Sequence, residues 1–325
     1  MEETDTRNLT LNVTYGSLDI EEFINDTCLI IPYKLIVFGG VCLGISLCGL
    51  VGNGMVMWFL GFHMKQSPFT VYILNLAVAD FSLILMYFLI LLAFLTLKAF
   101  CTSLLHFAPL YADFVFVVGF LCHMFDLSSL GLLTALSVER CVSVLFPIWY
   151  RCHRPRHLSG IVSGTLWALA GVFVSLLHFT FTKDSEEVLS DVALAFSMIL
   201  SVLMLVSNLF LITKLLCGSQ RQHPGRLSIA VLIEIIVFFA FGIPFCLEIF
   251  LNILNSDEIF LTTSLLLALL DCCLNPVIYV LVGSCRRRRF HRSVKVALRR
   301  AFEEKAGNEE RNHVCWDTVV EVTSL

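Results

Sequence analysis

The chain has 325 residues, 58% of them hydrophobic and only 15% charged, with a mean hydropathy of +0.85 and a formal net charge of -4 at pH 7. Soluble domains carry roughly 25% charged residues. A chain this apolar would expose too much apolar surface to water, which excludes a soluble globular domain.

Residues 1–31 read as a polar, acidic tail. After it the apolar residues come in blocks long enough to cross a bilayer, which takes about 20 residues per helix. Seven blocks are legible: Pro32–Phe62, Pro68–Leu97, Phe107–Leu145, His157–Phe181, Leu189–Leu216, Arg226–Leu254 and Ile259–Val282. Backbone groups in lipid must be bonded internally, and no alternating ten-residue pattern suggests a barrel, so helices are expected. The expected fold class is an all-α membrane protein, a seven-transmembrane-helix bundle with a short amphipathic cytoplasmic helix. Its expected parts are a glycosylated extracellular tail (1–31), the seven-helix bundle (32–282), an amphipathic membrane-surface helix (283–302) and a flexible cytoplasmic tail (303–325). The first block lacks a basic n-region and a cleavage site, and reads as a retained signal-anchor.

Orientation follows from Lys and Arg. Arg7, Lys34, Lys98 and Lys183 are the only four of 22 on one side of the map, and the other 18 lie at or beyond the opposite helix ends. That basic side is assigned to the cytoplasm, with the N-terminus outside and the protein multi-pass in the cell membrane. Three sequons, at Asn8, Asn12 and Asn25, fall on the side so assigned to the exterior and are the expected glycosylation sites. Of 13 cysteines, Cys28 and Cys101 lie in extracellular segments, where oxidation is allowed, and form a candidate disulfide.

Polar residues inside apolar helices are costly and face the bundle interior. Along the chain these are Asn53 in Gly52-Asn53-Gly54, Asp80 in Leu76-Ala77-Val78-Ala79-Asp80, Glu139-Arg140-Cys141 at the end of the third block, and Asn275-Pro276-Val277-Ile278-Tyr279 in the seventh. Trp167 lies in the fourth block, and Pro244 is expected to kink the sixth. In this order and spacing the set resembles the fingerprint of rhodopsin-like G-protein-coupled receptors. Three stretches, Ser137-Val138-Glu139-Arg140-Cys141, Pro147-Ile148-Trp149-Tyr150-Arg151-Cys152-His153-Arg154-Pro155 and Phe241-Gly242-Ile243-Pro244, resemble the Mas-related group in particular. Gly242 stands where most rhodopsin-like receptors carry a tryptophan. Val115 stands where they carry the third-helix cysteine, and the expected loop Thr182–Ser190 has none, so the usual extracellular bridge cannot form.

The resemblance implies an orphan-type receptor that binds an extracellular ligand and activates heterotrimeric G proteins, with arrestin-type regulators. Arg140 would be the cytoplasmic switch, paired with Glu139 when inactive and joined by Tyr279 when active, with Asn275 and Pro276 shaping the seventh helix. A plainer reading has Arg140 snorkel to the head groups. Asp80, Ser129, Asp271 and Asn275 resemble the polar centre that holds a sodium ion or a proton; beyond that ion no metal or cofactor is expected. Asp126 lies 14 residues before Arg140, about 21 Å at 1.5 Å per residue. It either offers a carboxylate to a basic ligand, below Cys122, or belongs to the polar centre. Cys122 replaces the acid of amine receptors, which argues against a conventional monoamine. Asp191 matches a position that binds cationic groups in some Mas-related receptors, but Leu177 and His178 stand where its acidic partner is expected.

Acids crowd the extracellular side: Glu2, Glu3, Asp5, Asp19, Glu21, Glu22 and Asp26 in the tail, then Asp184, Glu186, Glu187 and Asp191. Such a field concentrates cations, so a basic peptide or cationic small molecule is the expected ligand class. After the seventh block, Arg286–Arg289 and the apolar Phe290, Val294, Val296, Ala297, Leu298 and Phe302 suit a helix on the inner leaflet. Placed directly after a membrane helix, the Arg run is no nuclear signal, and no nucleic-acid partner is expected. Cys285 and Cys315 are candidate palmitoylation sites, and Thr323-Ser324-Leu325 is a candidate PDZ ligand. No His-Glu-x-x-His, paired catalytic aspartates or Gly-x-Ser-x-Gly stands in a helix, and no internal repeat suggests a transporter, so neither an enzyme nor a transporter is expected. The remaining rival is a receptor-fold protein acting as a non-signalling chaperone or partner subunit.

Overall fold

The structure, a computed structural model, describes residues 33–64, 66–99, 108–155, 157–179, 183–217, 226–242, 258–284 and 294–302. They form nine α-helices: α1 (Tyr33–Phe62), α2 (Pro68–Ala99), α3 (Ala108–Leu145), α4 (Pro147–Cys152), α5 (Leu158–Phe179), α6 (Lys183–Cys217), α7 (Arg226–Val237), α8 (Glu258–Ser284) and α9 (Val294–Phe302). Six of them, α1, α2, α3, α5, α6 and α8, are long and apolar enough to cross a membrane, and Ile229–Phe241 is a shorter apolar span. Together they form the expected seven-helix bundle. Below, the inner end is the one that carries Glu139 and Arg140.

Local chemistry sets several helix boundaries. Pro68 opens α2, where its missing N–H costs nothing. Just before it Ser67 and Thr70 cap each other: the Thr70 backbone N–H donates to Ser67 Oγ at 3.3 Å, and the Ser67 N–H donates to Thr70 Oγ1 at 2.6 Å. After α3, Pro147 opens the short α4, which turns the chain back beneath α3. In the sixth span α7 widens into a five-residue π-helix, Phe238–Gly242. Pro244, expected to kink this span, lies outside the described residues.

One boundary differs from the sequence reading. The stretch expected as the second extracellular loop is helical from Lys183 onward, so α6 starts six residues before Leu189. The sequence of this first turn, Asp184, Glu186 and Glu187, places acids where the helix dipole favours them.

The central helix is α3, which packs on α2, α5, α6 and α7, while α1 packs on α2 and α8. Glycine allows the α1–α8 approach: a Cβ on Gly49 would lie 2.2 Å from Cys273 Sγ, and one on Gly52 would lie 3.1 Å from Pro276 Cβ. Small residues at such contacts are what close helix packing in lipid requires. Two core clusters result, an inner one through Leu60, Tyr72, Leu136, Val231 and Tyr279, and an outer one through Cys42, Leu83, Val118, Cys122 and Leu269. The apolar residues left exposed, among them Val51, Trp58, Ile199, Leu209 and Phe210, are suited to lipid.

Candidate functional site

The site is built around Asp80, whose side chain is 1% exposed at the middle of α2. Its two oxygens are held from two other helices. Ser129 Oγ of α3 donates to Oδ1 at 3.0 Å, and Asn275 Nδ2 of α8 donates to Oδ2 at 2.7 Å. Asn53 adds α1 to the assembly, donating through Nδ2 to the Cys272 carbonyl of α8 at 3.1 Å and to its own Gly49 carbonyl at 3.2 Å. Four helices are thus joined through one buried carboxylate and its neighbours. Pro276 lies inside the continuous helix α8, beside Asn275, where its ring removes one backbone N–H.

Further carboxylates gather here. Asp126 and Asp271 lie within electrostatic reach of Asp80 and of each other, and Glu234 of α7 lies within reach of Asp80 and Asp271. Cys122, one turn outward of Asp126, is buried in the outer core with Val118, Leu269 and Cys272. Trp167 supports the other flank of α2, donating through Nε1 to Asn75 Oδ1 at 3.2 Å and meeting Phe125 edge-on at 5.9 Å.

At the inner end the partners differ from those expected. Glu139 does not take Arg140 as its ion pair; it pairs with Arg154, just beyond α4, and accepts a hydrogen bond from Tyr150 Oη of α4 at 2.8 Å. Arg154 also donates to Ser159 Oγ at the start of α5. These charges are 4% and 8% exposed for Arg154 and Glu139, so the pair is a buried one. The Tyr150 phenol is pushed far above its ordinary range by burial and then by the Glu139 charge. The Arg140 guanidinium instead lies 3.5 Å over the centre of the Phe69 ring of α2, and Tyr150 stacks on the same ring at 5.9 Å. The reason is geometric. Adjacent residues on a helix do not face each other, so Glu139 and Arg140 point to different neighbours.

Tyr279 also has a partner that sequence reasoning missed. Its Oη donates to Glu234 Oε1 of α7 at 2.7 Å, and both side chains are buried. The available clue was a single carboxylate inside the apolar run Ile229–Val237, since an acid in such a segment usually marks a functional contact.

Other expected positions fall outside this geometry. Asp191 lies on α6, but its side chain is not among those described, nor are those of Leu177 and His178 on α5. Asn8, Asn12, Asn25, Cys28, Cys101, Arg286–Arg289, Cys285, Cys315 and Thr323–Leu325 lie outside the described residues.

A bundle of apolar spans joined through Asp80, Asn275 and Ser129, with Arg140 at its inner end, defines the class of rhodopsin-type receptors. Residues 52–279 match the family described as 7 transmembrane receptor (rhodopsin family). Over 277 residues the chain is 35% identical to the mouse protein named Proto-oncogene Mas, covering 82% of this chain and 83% of that one. It is 34% identical over 298 residues to mouse Mas-related G-protein coupled receptor member A1, covering 86% and 91%. With human Mas-related G-protein coupled receptor member X2 it shares 36% identity over 293 residues, covering 85% and 84%. The chain belongs to the Mas-related group of the rhodopsin-family receptors.

Proposed function

We propose that this receptor binds a cationic ligand, a basic peptide or a small cation, at its outer end and activates heterotrimeric G proteins at its inner end. The observation that carries the signalling half is the continuous polar axis: Asn53, Asp80, Ser129 and Asn275 join four helices, and α8 carries the axis on to Tyr279 and, through it, Glu234 of α7. Both ends of the bundle can then respond to one rearrangement, which is what a two-state switch requires. Arg140, stacked on Phe69, is the group that would leave that ring and meet the G protein, with Tyr279 released from Glu234 to join it. The ligand half rests on the acids of the sequence, Asp184, Glu186, Glu187 and Asp191 with the acidic tail, because a one-sign field raises the local concentration of the opposite charge. In this reading the tail, carrying Asn8, Asn12 and Asn25, is extracellular and glycosylated. The C-terminus is then cytoplasmic, open to arrestin-type regulators and, at Thr323–Leu325, to a PDZ domain.

The polar centre suits a sodium ion. Asp80 and Ser129 offer hard oxygens, and Asp126 and Asp271 bring further carboxylates within reach. Crowded carboxylates in a low-dielectric site are relieved by a cation or a proton. The bound charge would steady the arrangement of α2, α3 and α8.

The test is G-protein activation in cells challenged with basic peptides and small amines, for the wild type and Asp191→Ala. A response shifted to higher concentration in Asp191→Ala supports the cationic-ligand reading. Silence of a surface-delivered wild type across the panel favours the alternative of a non-signalling chaperone or partner subunit, for which Gly242 and the missing anchor cysteine already speak.

A further inference from the structure

We propose that the cleft where α4 meets the starts of α2 and α5 is a binding site for a phosphate monoester, supplied by a lipid head group or by a free anion. The cleft has a volume of about 650 Å³ and lies at the inner end of the bundle, beside the Glu139–Arg154 pair. The two segments that line it, residues 63–72 and 146–161, carry in sequence Lys65, Arg151, Arg154 and Arg156 and no acid. Four cations against the single charge of Glu139 leave an excess for an anion to neutralise.

Two observations point to a ligand and not merely to a basic surface. The first is Arg154, which lines the cleft although its side chain is only 4% exposed. Its Nη2 serves Glu139 and Ser159, its Nη1 donates to the neighbouring Pro155 carbonyl at 3.2 Å, and its Nε has no acceptor among the described residues. A buried donor left without an acceptor is costly, and the guanidinium fork matches the oxygens of a phosphate. The second is the start of α5. The first N–H groups of a helix have no intrahelical acceptor, and α2 meets this need with the Ser67–Thr70 pair. By contrast, α5 is preceded by His157, which is not a capping residue type. Ser159, in its first turn, accepts from Arg154. Gly160 leaves that turn uncovered, since a Cβ there would meet nothing within 4 Å. Such helix starts take phosphate through their backbone N–H groups.

The cleft also borders lipid. Ile161, next to Gly160, is 63% exposed on a helix long and apolar enough to cross a membrane, so a head group seated against Arg154 has an apolar surface for its acyl chain. A phosphate bound here would tie the starts of α2 and α5 to α4 and hold Arg154 in place against Glu139.

The test uses the full chain in nanodiscs of phosphatidylcholine with a minor share of phosphatidic acid, whose head group is a bare phosphate monoester. Native mass spectrometry counts the lipids retained by protein released from the discs. The wild type is expected to retain phosphatidic acid roughly fivefold beyond its share in the disc, the scale of one charge at a head-group surface. Gly160→Glu puts a carboxylate into the open space at the cleft and should abolish the enrichment, whereas Gly160→Gln, equal in size and neutral, should keep it. Gln66→Glu is isosteric and places an acid where a helix start favours one, so it should lose the enrichment without losing Tm. Glycerol phosphate, the same group without chains, is then added at millimolar concentration. Its displacing the lipid shows that a free anion fills the site, and persistence of the lipid shows that the chains help to hold it; both support the site and decide its source. A wild type with no enrichment, and with a Tm that glycerol phosphate does not raise, overturns the proposal. Equal enrichment in the wild type and both acidic variants overturns it too, because the lipid would then sit elsewhere.

Discussion

The phenol of Tyr279 donates a 2.7 Å hydrogen bond to the buried carboxylate of Glu234, tying α8 to α7. The two residues stand 45 positions apart in the chain, and the bond crosses the interface at which α7 packs on α8. Removing its hydroxyl should therefore weaken the closed bundle. An intramolecular hydrogen bond contributes about 0.5–1.5 kcal/mol net. Tyr279→Phe is expected to lower the apparent Tm of purified receptor by several degrees, and Glu234→Gln, whose amide oxygen still accepts, by less. Equal Tm values for wild type and Tyr279→Phe would show that the contact carries no stability.

Gly49 tests the α1–α8 interface. A methyl there would meet Cys273 Sγ at 2.2 Å and Ile84 Cδ1 at 2.8 Å, whereas one on Gly54 would find only Phe81 at 3.7 Å. Overpacking of this kind costs about 1–3 kcal/mol. Gly49→Ala should reduce both surface expression and Tm, Gly54→Ala should do neither, and Cys273→Ala should partly restore Gly49→Ala.

The inner ion pair makes an asymmetric prediction. Arg154→Ala leaves Glu139 buried without its cation, a loss of about 3–5 kcal/mol for buried pairs. Adding Glu139→Gln removes the stranded charge, so the double variant should be more stable than Arg154→Ala alone. Thermal unfolding of the three proteins decides it, and a double variant weaker than the single one would contradict the pairing.

Tyr150 predicts a pH dependence. Burial and the Glu139 charge raise its phenol above the ordinary tyrosine value of 10.0, so the folded state holds this proton more tightly than the unfolded chain. The resulting stability is fully present below that ordinary value and is lost as pH rises toward and through the folded-state value. Tyr150→Phe should flatten the alkaline limb of a Tm–pH curve while leaving neutral pH little changed in slope. An unchanged alkaline limb would place its cause elsewhere.

How much of this was legible follows the range of each interaction. Apolar block length is a local property, and it located the span ends that lie among the described residues to within a few positions except at Lys183, where the acidic turn reads as loop by composition but is helical in backbone; the end expected at Leu254 lies outside the described residues. Asp80, Ser129 and Asn275 were legible as a group because each is polar in an apolar helix, and the resemblance placed them together before the hydrogen bonds did. The partner of Glu139 was not, because the nearest cation in sequence is Arg140, while the nearest in space arrives only after Pro147 turns α4 back under α3. Glu234 and Tyr279 needed the packing of α7 on α8, and the apolar stripe of α9, whose Leu298 and Phe302 are buried in the inner core, has the same pattern whether it meets lipid or protein. Patterns report which side chains need burial, not what buries them.

Whether this receptor signals through Arg140 is decided by G-protein nucleotide exchange with purified receptor, wild type against Arg140→Ala. With both proteins folded and in equal amount, the wild type is predicted to accelerate exchange, basally or with a cationic ligand, and Arg140→Ala to lose that acceleration. Equal acceleration by the two would contradict the account, since the guanidinium now stacked on Phe69 would then play no part in the switch.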